Sequence, residues 1–409
     1  MTAPTVALEV ERIRAAFPAL GRRHGGRPVA YFDGPGGTQV PQSVIDAMAD
    51  YLANHNANTH WMYPSSAETD TMILDARAAL ADLLGASPTE VAFGQNMTTL
   101  TFHLARALAR QWKPGDTIVV TDLDHHANVA AWVEIAKDRG LRVRRVGFHV
   151  ESGELDWDDL QHALADGPVF LAIGAASNAL GTITDVGAAC ALARDAGAGT
   201  FVDAVHLAPH ESIDVKAIGC DYLACSPYKF YGPHLGVLYG RFELIEALDV
   251  PRLSPAPNNS PDRLETGTLS HEAIVGAAAA VEFIASIGGV AGPRRERLKR
   301  AFAAIHEHEH ALFETLWNGL EALRGVRIHG PGLERPRTPT VSIDVADLHP
   351  DRAAEQLSRS GLFLSSGDFY AATVMERLGR PQGVLRIGVS CYTDEEEIDR
   401  LLAALSDLV

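Results

Sequence analysis

Between about Ser43 and Gly240 helical patterns alternate with short apolar runs, at Glu90–Gly94, Thr117–Thr121, Leu141–Phe148, Val169–Gly174, Thr200–Asp203, Tyr222–Cys225 and Leu235–Tyr239. A chain that returns to a strand after each helix has few solutions besides βαβ units around a mostly parallel sheet, because parallel neighbours need a crossover to join them. This part is therefore expected to form an α/β domain. Its helices carry start signals: Ser43 stands before the run through Tyr51, and Thr98 opens the run Leu100, Phe102, Leu104, Leu108.

After the Pro-rich segment Pro251–Pro261 the texture changes. An Ala-rich helix is expected from about Glu272, then a long charged amphipathic helix from Arg294 to Leu323 that bridges two domains. Strand-like runs follow at Val326–His329, Thr340–Val345, Leu362–Ser365 and Val384–Val389, which describes a smaller α+β domain. Two cores suit a chain of 409 residues, since single cores stop growing near ~250–300.

Several function classes are disfavoured. With 35 Lys and Arg against 52 Asp and Glu, the net charge of −17 is the wrong sign for a nucleic-acid partner. Met1–Phe17 carries Glu9, Glu11, Arg12 and Arg14 and is read as a first helix, not a signal peptide. The Ala-rich stretch Ala273–Val290 is broken by Glu282 and suits a packed helix better than a membrane span. Cys190, Cys220, Cys225 and Cys391 are scattered without CxxC spacing, as expected in a reducing cytoplasm without disulfides. In His306-Glu307-His308-Glu309-His310 only the i,i+4 pair shares a helix side, so a solvated face is expected and no metal site.

Ligands of open parallel sheets bind beyond the carboxyl ends of the strands. There the chain places Asn96-Met97-Thr98-Thr99, Asp124-His125-His126, Ser177-Asn178 and Asp203-Ala204-Val205-His206, with Ser226-Pro227-Tyr228-Lys229 shortly after. A lysine just past one strand and an aspartate ending the strand before it meet the needs of pyridoxal 5'-phosphate (PLP). The amine can condense with the cofactor aldehyde, and the carboxylate can keep the pyridine nitrogen protonated. Singly, each residue is more often a salt-bridged surface group or a turn cap. The turn Gly34-Pro35-Gly36-Gly37 lacks dinucleotide spacing and is expected to bring backbone close to a substrate.

The segments FVDAVHLAPH and CDYLACSPYKFYGPHLGVLYG resemble the cofactor-lysine region of class V aminotransferases and cysteine desulfurases. The likeness extends through GQNMTTLTFHLARAL, DLDHHANVAAW, ASNALGTITDV, RLETGTLSHEAIVG, SSGDFYAATVMERLG and VLRIGVSCYTDEEEIDRL, from about Tyr31 to the C-terminus. These motifs are similar to those of a cysteine-desulfurase-like subgroup that lacks the catalytic cysteine. The resemblance implies a fold-type I PLP enzyme. Residues 31–292 would form the large cofactor domain, residues 1–30 and 293–409 the small domain, and two chains a homodimer with composite sites.

The same resemblance implies roles. Lys229 would hold the cofactor covalently and shuttle the proton at the substrate Cα, and Asp203 would pair with the pyridine nitrogen. His125 would stack on the ring, while His206 and Asn178 would hydrogen-bond its phenolic oxygen. Met97, Thr98, Ser226 and Tyr228 would bind the phosphate, joined by Thr268 of the partner subunit. Arg386 would pair with the α-carboxylate of an amino-acid substrate.

One departure from the desulfurase pattern stands out. Tyr370 occupies the place of the sulfur-accepting cysteine, and Ser365 that of an arginine. A phenol cannot accept sulfur, so persulfide relay has no visible nucleophile. The expected activity is C–S or other β-elimination, ahead of transamination and epimerisation. A non-catalytic PLP-binding protein is the remaining alternative, against which Arg386 counts.

Overall fold

The computed structural model describes residues 8–409. Seven strands form the main sheet: β1 (Val91–Gly94), β2 (Thr117–Thr121), β3 (Arg142–Val146), β4 (Phe170–Gly174), β5 (Gly199–Asp203), β6 (Tyr222–Cys225) and β7 (Gly236–Gly240), in the order β1-β7-β6-β5-β4-β2-β3. All pair parallel except β7, which runs antiparallel to both neighbours. Successive residues of these strands enter different cores. Val119, Leu171, Ile173 and Val202 face one layer of helices. Ile118, Val120, Phe170, Ala172 and Phe201 face the other. A sheet buried on both sides explains why its strands read as continuous apolar runs, except the edge strand β3, whose sequence RVRRV is only partly covered.

A second sheet of four strands joins β8 (Val326–His329), β9 (Thr340–Val345), β10 (Ser365–Gly367) and β11 (Val384–Gly388), in the order β8-β9-β11-β10. The helix Arg294–Ala322 connects the two bodies. Leu298, Phe302 and Ile305 pack into the main core, and Leu312, Phe313, Leu316 and Leu320 into the core of the small sheet. The chain ends meet as well. Ala30–Tyr31 pairs parallel with Leu362–Phe363, and Arg14 bonds Glu397 at 3.0 and 3.1 Å.

Some local expectations are corrected. Ser43 is not a helix cap, because the helix Gln42–Asp50 starts one residue earlier, behind Pro41. Thr98 is likewise inside its helix, Met97–Leu108. The cap is Asn96, whose side chain accepts from the Thr99 N–H. Glu90 belongs to a short 3-10 turn, and Leu141–Phe148 is interrupted after Val146. The run Leu362–Ser365 contributes to two different sheets. Met1–Ala7, the start of the expected first helix, lies outside the described residues, and the described helix is Val10–Ala15.

The solvated face expected at His306–His310 is found for His306, Glu307 and His310, which are exposed, but not for Glu309, which is buried against His210. Among the described residues no cluster suited to a metal ion is found, and no helix is long and apolar enough to cross a membrane.

Candidate active site

One cleft beyond the carboxyl ends of β1, β4, β5 and β6 gathers Met97, Thr98, His125, Asn178, Asp203, His206, Ser226, Tyr228 and Lys229. Sheet register does much of this work. Asp203 pairs with Gly174 on one side and Ala224 on the other, so the carboxylate at the end of β5 faces the loop that follows β6. That loop turns through Pro227–Lys229 and carries Lys229 back toward the strand ends.

Lys229 is buried, and its ammonium donates to the carbonyls of Pro35 and, at 3.1 Å, of Gly36. Burial, reinforced by the Arg386 charge and opposed by Asp203 and Asp33, lowers its pKa to about 7. A large fraction of the amine is then neutral near pH 7, as a nucleophile or proton acceptor at carbon requires. Burial raises Asp203 to about 6, against the Val205 N–H that donates to its Oδ1 at 2.9 Å and the charge of Lys229. A buried carboxylate in this state needs a cationic partner in order to ionise fully.

His125 is fixed by the Ala127 N–H, which donates to its Nδ1 at 3.0 Å. Burial, with Lys229 nearby, lowers its pKa to about 4, so the ring is a neutral aromatic plate. Asp124 anchors this loop. It accepts from Thr121 at 2.6 Å, Asn128 at 2.8 Å and the Gly174 N–H at 3.0 Å. A Cβ added at Gly174 would come within 2.8 Å of that carboxylate, which is why the strand end there is glycine. His206 is buried, held far below the usual histidine range by burial, and bonded through Nε2 to Thr338 Oγ1 at 3.1 Å.

At the other end of the cleft the Met97 N–H donates to Ser226 Oγ at 3.2 Å. Met97 therefore does not offer the free donor expected of it. The Thr98 N–H and the hydroxyls of Thr98 and Ser226 remain as donors at the start of the helix. Tyr228 lines the same wall, its ring stacked on His234 with centroids 5.0 Å apart. Asn178 spends one amide hydrogen on the Phe369 carbonyl at 2.9 Å, and its Oδ1 has no partner among the described residues. Arg386 lies behind it and donates to the Asn178 carbonyl at 2.9 Å. Thr268 is exposed and does not line the cleft of its own chain. Tyr370 is 73% exposed, with its ring 5.5 Å from that of His125.

Two residues were missed by sequence reasoning. Asp33 is held by burial at a pKa of about 6, against the pull of Arg386 and Lys229, and its Oδ1 has no partner among the described residues. An acidic residue before a glycine turn gives no signal beyond that of the turn. Phe369 lies over the Arg386 guanidinium at 3.9 Å, a contact that no local pattern announces.

The donor set suits PLP. A strand-end carboxylate, a flat neutral ring, a buried amine and hydroxyl donors at a helix start converge on one cleft. The profile of the Aminotransferase class-V family matches residues 30–401. A cysteine desulfurase of Pectobacterium carotovorum subsp. carotovorum (strain PC1) is 30% identical, over 97% of this chain and 97% of that protein. A probable cysteine desulfurase of Xylella fastidiosa (strain 9a5c) is 31% identical, over 98% and 96%. Among solved structures, an apo cysteine desulfurase from Thermococcus onnurineus NA1 superimposes with a TM-score of 0.88 at 28% identity, covering 100% of this chain and 98% of that one.

Fold and site together define a PLP-dependent enzyme of fold type I. The chain belongs to the class V aminotransferase family and is cysteine-desulfurase-like within it.

Proposed function

We propose that the protein is a lyase that cleaves a C–S or other β-bond of an α-amino acid without persulfide relay. The observation that carries this reading is the state of the thiols. All four cysteines are buried and unpaired, and burial pushes Cys190 and Cys225 up to about 12 and Cys391 higher still. The thiolate is the sulfur nucleophile, so none of them is equipped for transfer at neutral pH. The loop that would present such a nucleophile carries Tyr370.

PLP, when bound, supplies an electron sink for the pair left at the substrate Cα. The residues of the chain do the rest. Lys229 attaches the cofactor and moves the Cα proton through its Nζ. Asp203 stabilises a protonated pyridine nitrogen, and His125 fixes the plane of the ring. His206 and Asn178 would hydrogen-bond the phenolic oxygen. Thr98, Ser226 and Tyr228 form the phosphate end, with Met97 holding Ser226 in place, and Arg386 pairs with the α-carboxylate through its planar fork.

We further propose that the enzyme is a cytoplasmic homodimer with residues 31–292 as its large domain and 1–30 with 293–409 as its small one. The large apolar side chains of Ile45, Leu52, Trp61, Met62, Tyr63 and Leu74 are exposed within one stretch of the chain, which supports an interface there. Thr268, which does not line its own cleft, is free to serve the phosphate of the partner.

The test is a panel of L- and D-amino acids given to the holoenzyme, with ammonia, sulfide and keto acid measured together. Stoichiometric ammonia and keto acid, with sulfide from a thiol substrate, is the expected result. Keto acid released while the cofactor retains the nitrogen would replace elimination with transamination.

A further inference from the structure

Arg386 is 3% exposed, an unusual place for a guanidinium with no carboxylate bonded to it. Its Nη1 donates to the Asn178 carbonyl at 2.9 Å, and its Nε has no partner among the described residues. One face is covered by the Phe369 ring, whose centre is 3.9 Å from the guanidinium carbon. The Nη2 edge remains. A Cβ added at Gly36 would lie 3.5 Å from Nη2 and 3.6 Å from Ser365 Oγ, so glycine keeps that space open.

The ring is held there by its backbone. Phe369 and Tyr370 both have φ of +56°, a region that bulky residues enter only when the surroundings enforce it. Asp368 closes the turn by accepting from Tyr370 N at 3.0 Å and Ala371 N at 2.8 Å. The carbonyl of Phe369 accepts from Asn178, and that of Tyr370 from the His126 N–H at 2.7 Å. The helix that follows is pinned to the large sheet body, with Thr373 bonded to His126 at 3.1 Å and Arg145 at 3.2 Å, and Arg377 to Asp122 at 3.1 Å. Two successive side chains thus diverge, Phe369 inward over Arg386 and Tyr370 outward.

We propose that Phe369 is a specificity-determining residue: its ring holds the Arg386 fork in orientation for the α-carboxylate and roofs the space beside the substrate Cα, limiting the side chain admitted. This rests on the reading of Arg386 as the carboxylate partner. The ring lies against one face of the guanidinium and so limits the directions from which a carboxylate can meet it. The ring also offers the cation a π face, which the buried guanidinium otherwise lacks.

The test titrates PLP-loaded protein with L-alanine and L-phenylalanine, following the absorbance of the bound cofactor. In Phe369→Ala the Kd for L-alanine should rise about ten-fold, and the preference for L-alanine over L-phenylalanine should fall by at least about ten-fold. Phe369→Leu, which keeps bulk but no π face, should weaken L-alanine binding while still disfavouring L-phenylalanine. It serves as the second variant if the alanine form does not fold. Wild-type constants for both ligands in the Phe369 variants, with binding lost in Arg386→Ala, would overturn the proposal and leave the site reading intact. Undiminished binding in Arg386→Ala would remove the reading of the arginine and the proposal with it.

Discussion

His210 Nδ1 lies 2.8 Å from Glu309 Oε2, and both side chains are buried. The bond ties the segment after β5, which carries His206, to the helix that bridges the two sheets. Glu309→Ala leaves a buried imidazole without its partner and should cost about 1–3 kcal/mol in urea unfolding. Glu309→Gln, which keeps an oxygen acceptor, should cost less. Glu307→Ala on the exposed side of the same helix should stay within about 0.5 kcal/mol. Equal effects at 307 and 309 would contradict the buried pair.

Lys229 makes a prediction about pH. The neutral amine is the form that condenses with an aldehyde, and its pKa is lowered to about 7. Loading of apo-protein with PLP should therefore accelerate as pH rises through about 7 and level off above it. An ordinary lysine would keep gaining to about pH 10. Stopped-flow absorbance gives the profile. Borohydride reduction followed by peptide mapping should place the cofactor on Lys229, and Lys229→Ala should hold none covalently.

Thr268→Ala should weaken cofactor retention by about 1–3 kcal/mol, the loss of one charge-assisted hydrogen bond donated across a dimer. Equilibrium dialysis of the variant checks this, and sedimentation of the native protein should give a dimer. A fully active monomer would rule out the shared phosphate site.

Tyr370→Phe separates two roles at the mouth of the cleft. If the phenol transfers a proton, turnover should fall by about ten-fold or more, within the range of general acid catalysis. If the ring only shapes the pocket, turnover holds. Incubation with cysteine should leave no persulfide on any of the four thiols by mass spectrometry. A catalytically competent persulfide would return the protein to the desulfurase mechanism.

What could be read from the sequence follows from range. The strands of the main sheet other than the edge strand β3 are near-continuous apolar runs because both their faces are covered, and Asp203 at a strand end and Lys229 in the loop just past one stand where chemistry is expected. Boundaries such as Asn96 against Thr98 were off by a residue or two because several side chains in that run can cap. Three features stayed hidden because their partners are distant in the chain. Glu309 reads as one charge in a polar face until His210 is brought against it. Asp33 reads as a turn residue until Arg386 and Lys229 arrive, and Phe369 as ordinary packing until its ring meets the guanidinium.

The parallel pairing of Ala30–Tyr31 with Leu362–Phe363 sets an order on synthesis. A ribosome adds residues at about 5–20 per second, so the first strand waits on the order of 20–60 s for its partner to be made. The carbonyls of Pro35 and Gly36, which cradle the Lys229 amine, lie only a few residues beyond that strand. The cradle itself is bonded to the lysine loop, with the Thr38 N–H donating to the Tyr228 carbonyl at 3.0 Å, so it can form while translation continues, but the strand that anchors its start is paired only after nearly all of the chain has left the ribosome. The last turn of assembly is therefore the docking of the N-terminal segment on the small sheet body, and truncation before Leu362 should leave that segment without its strand partner.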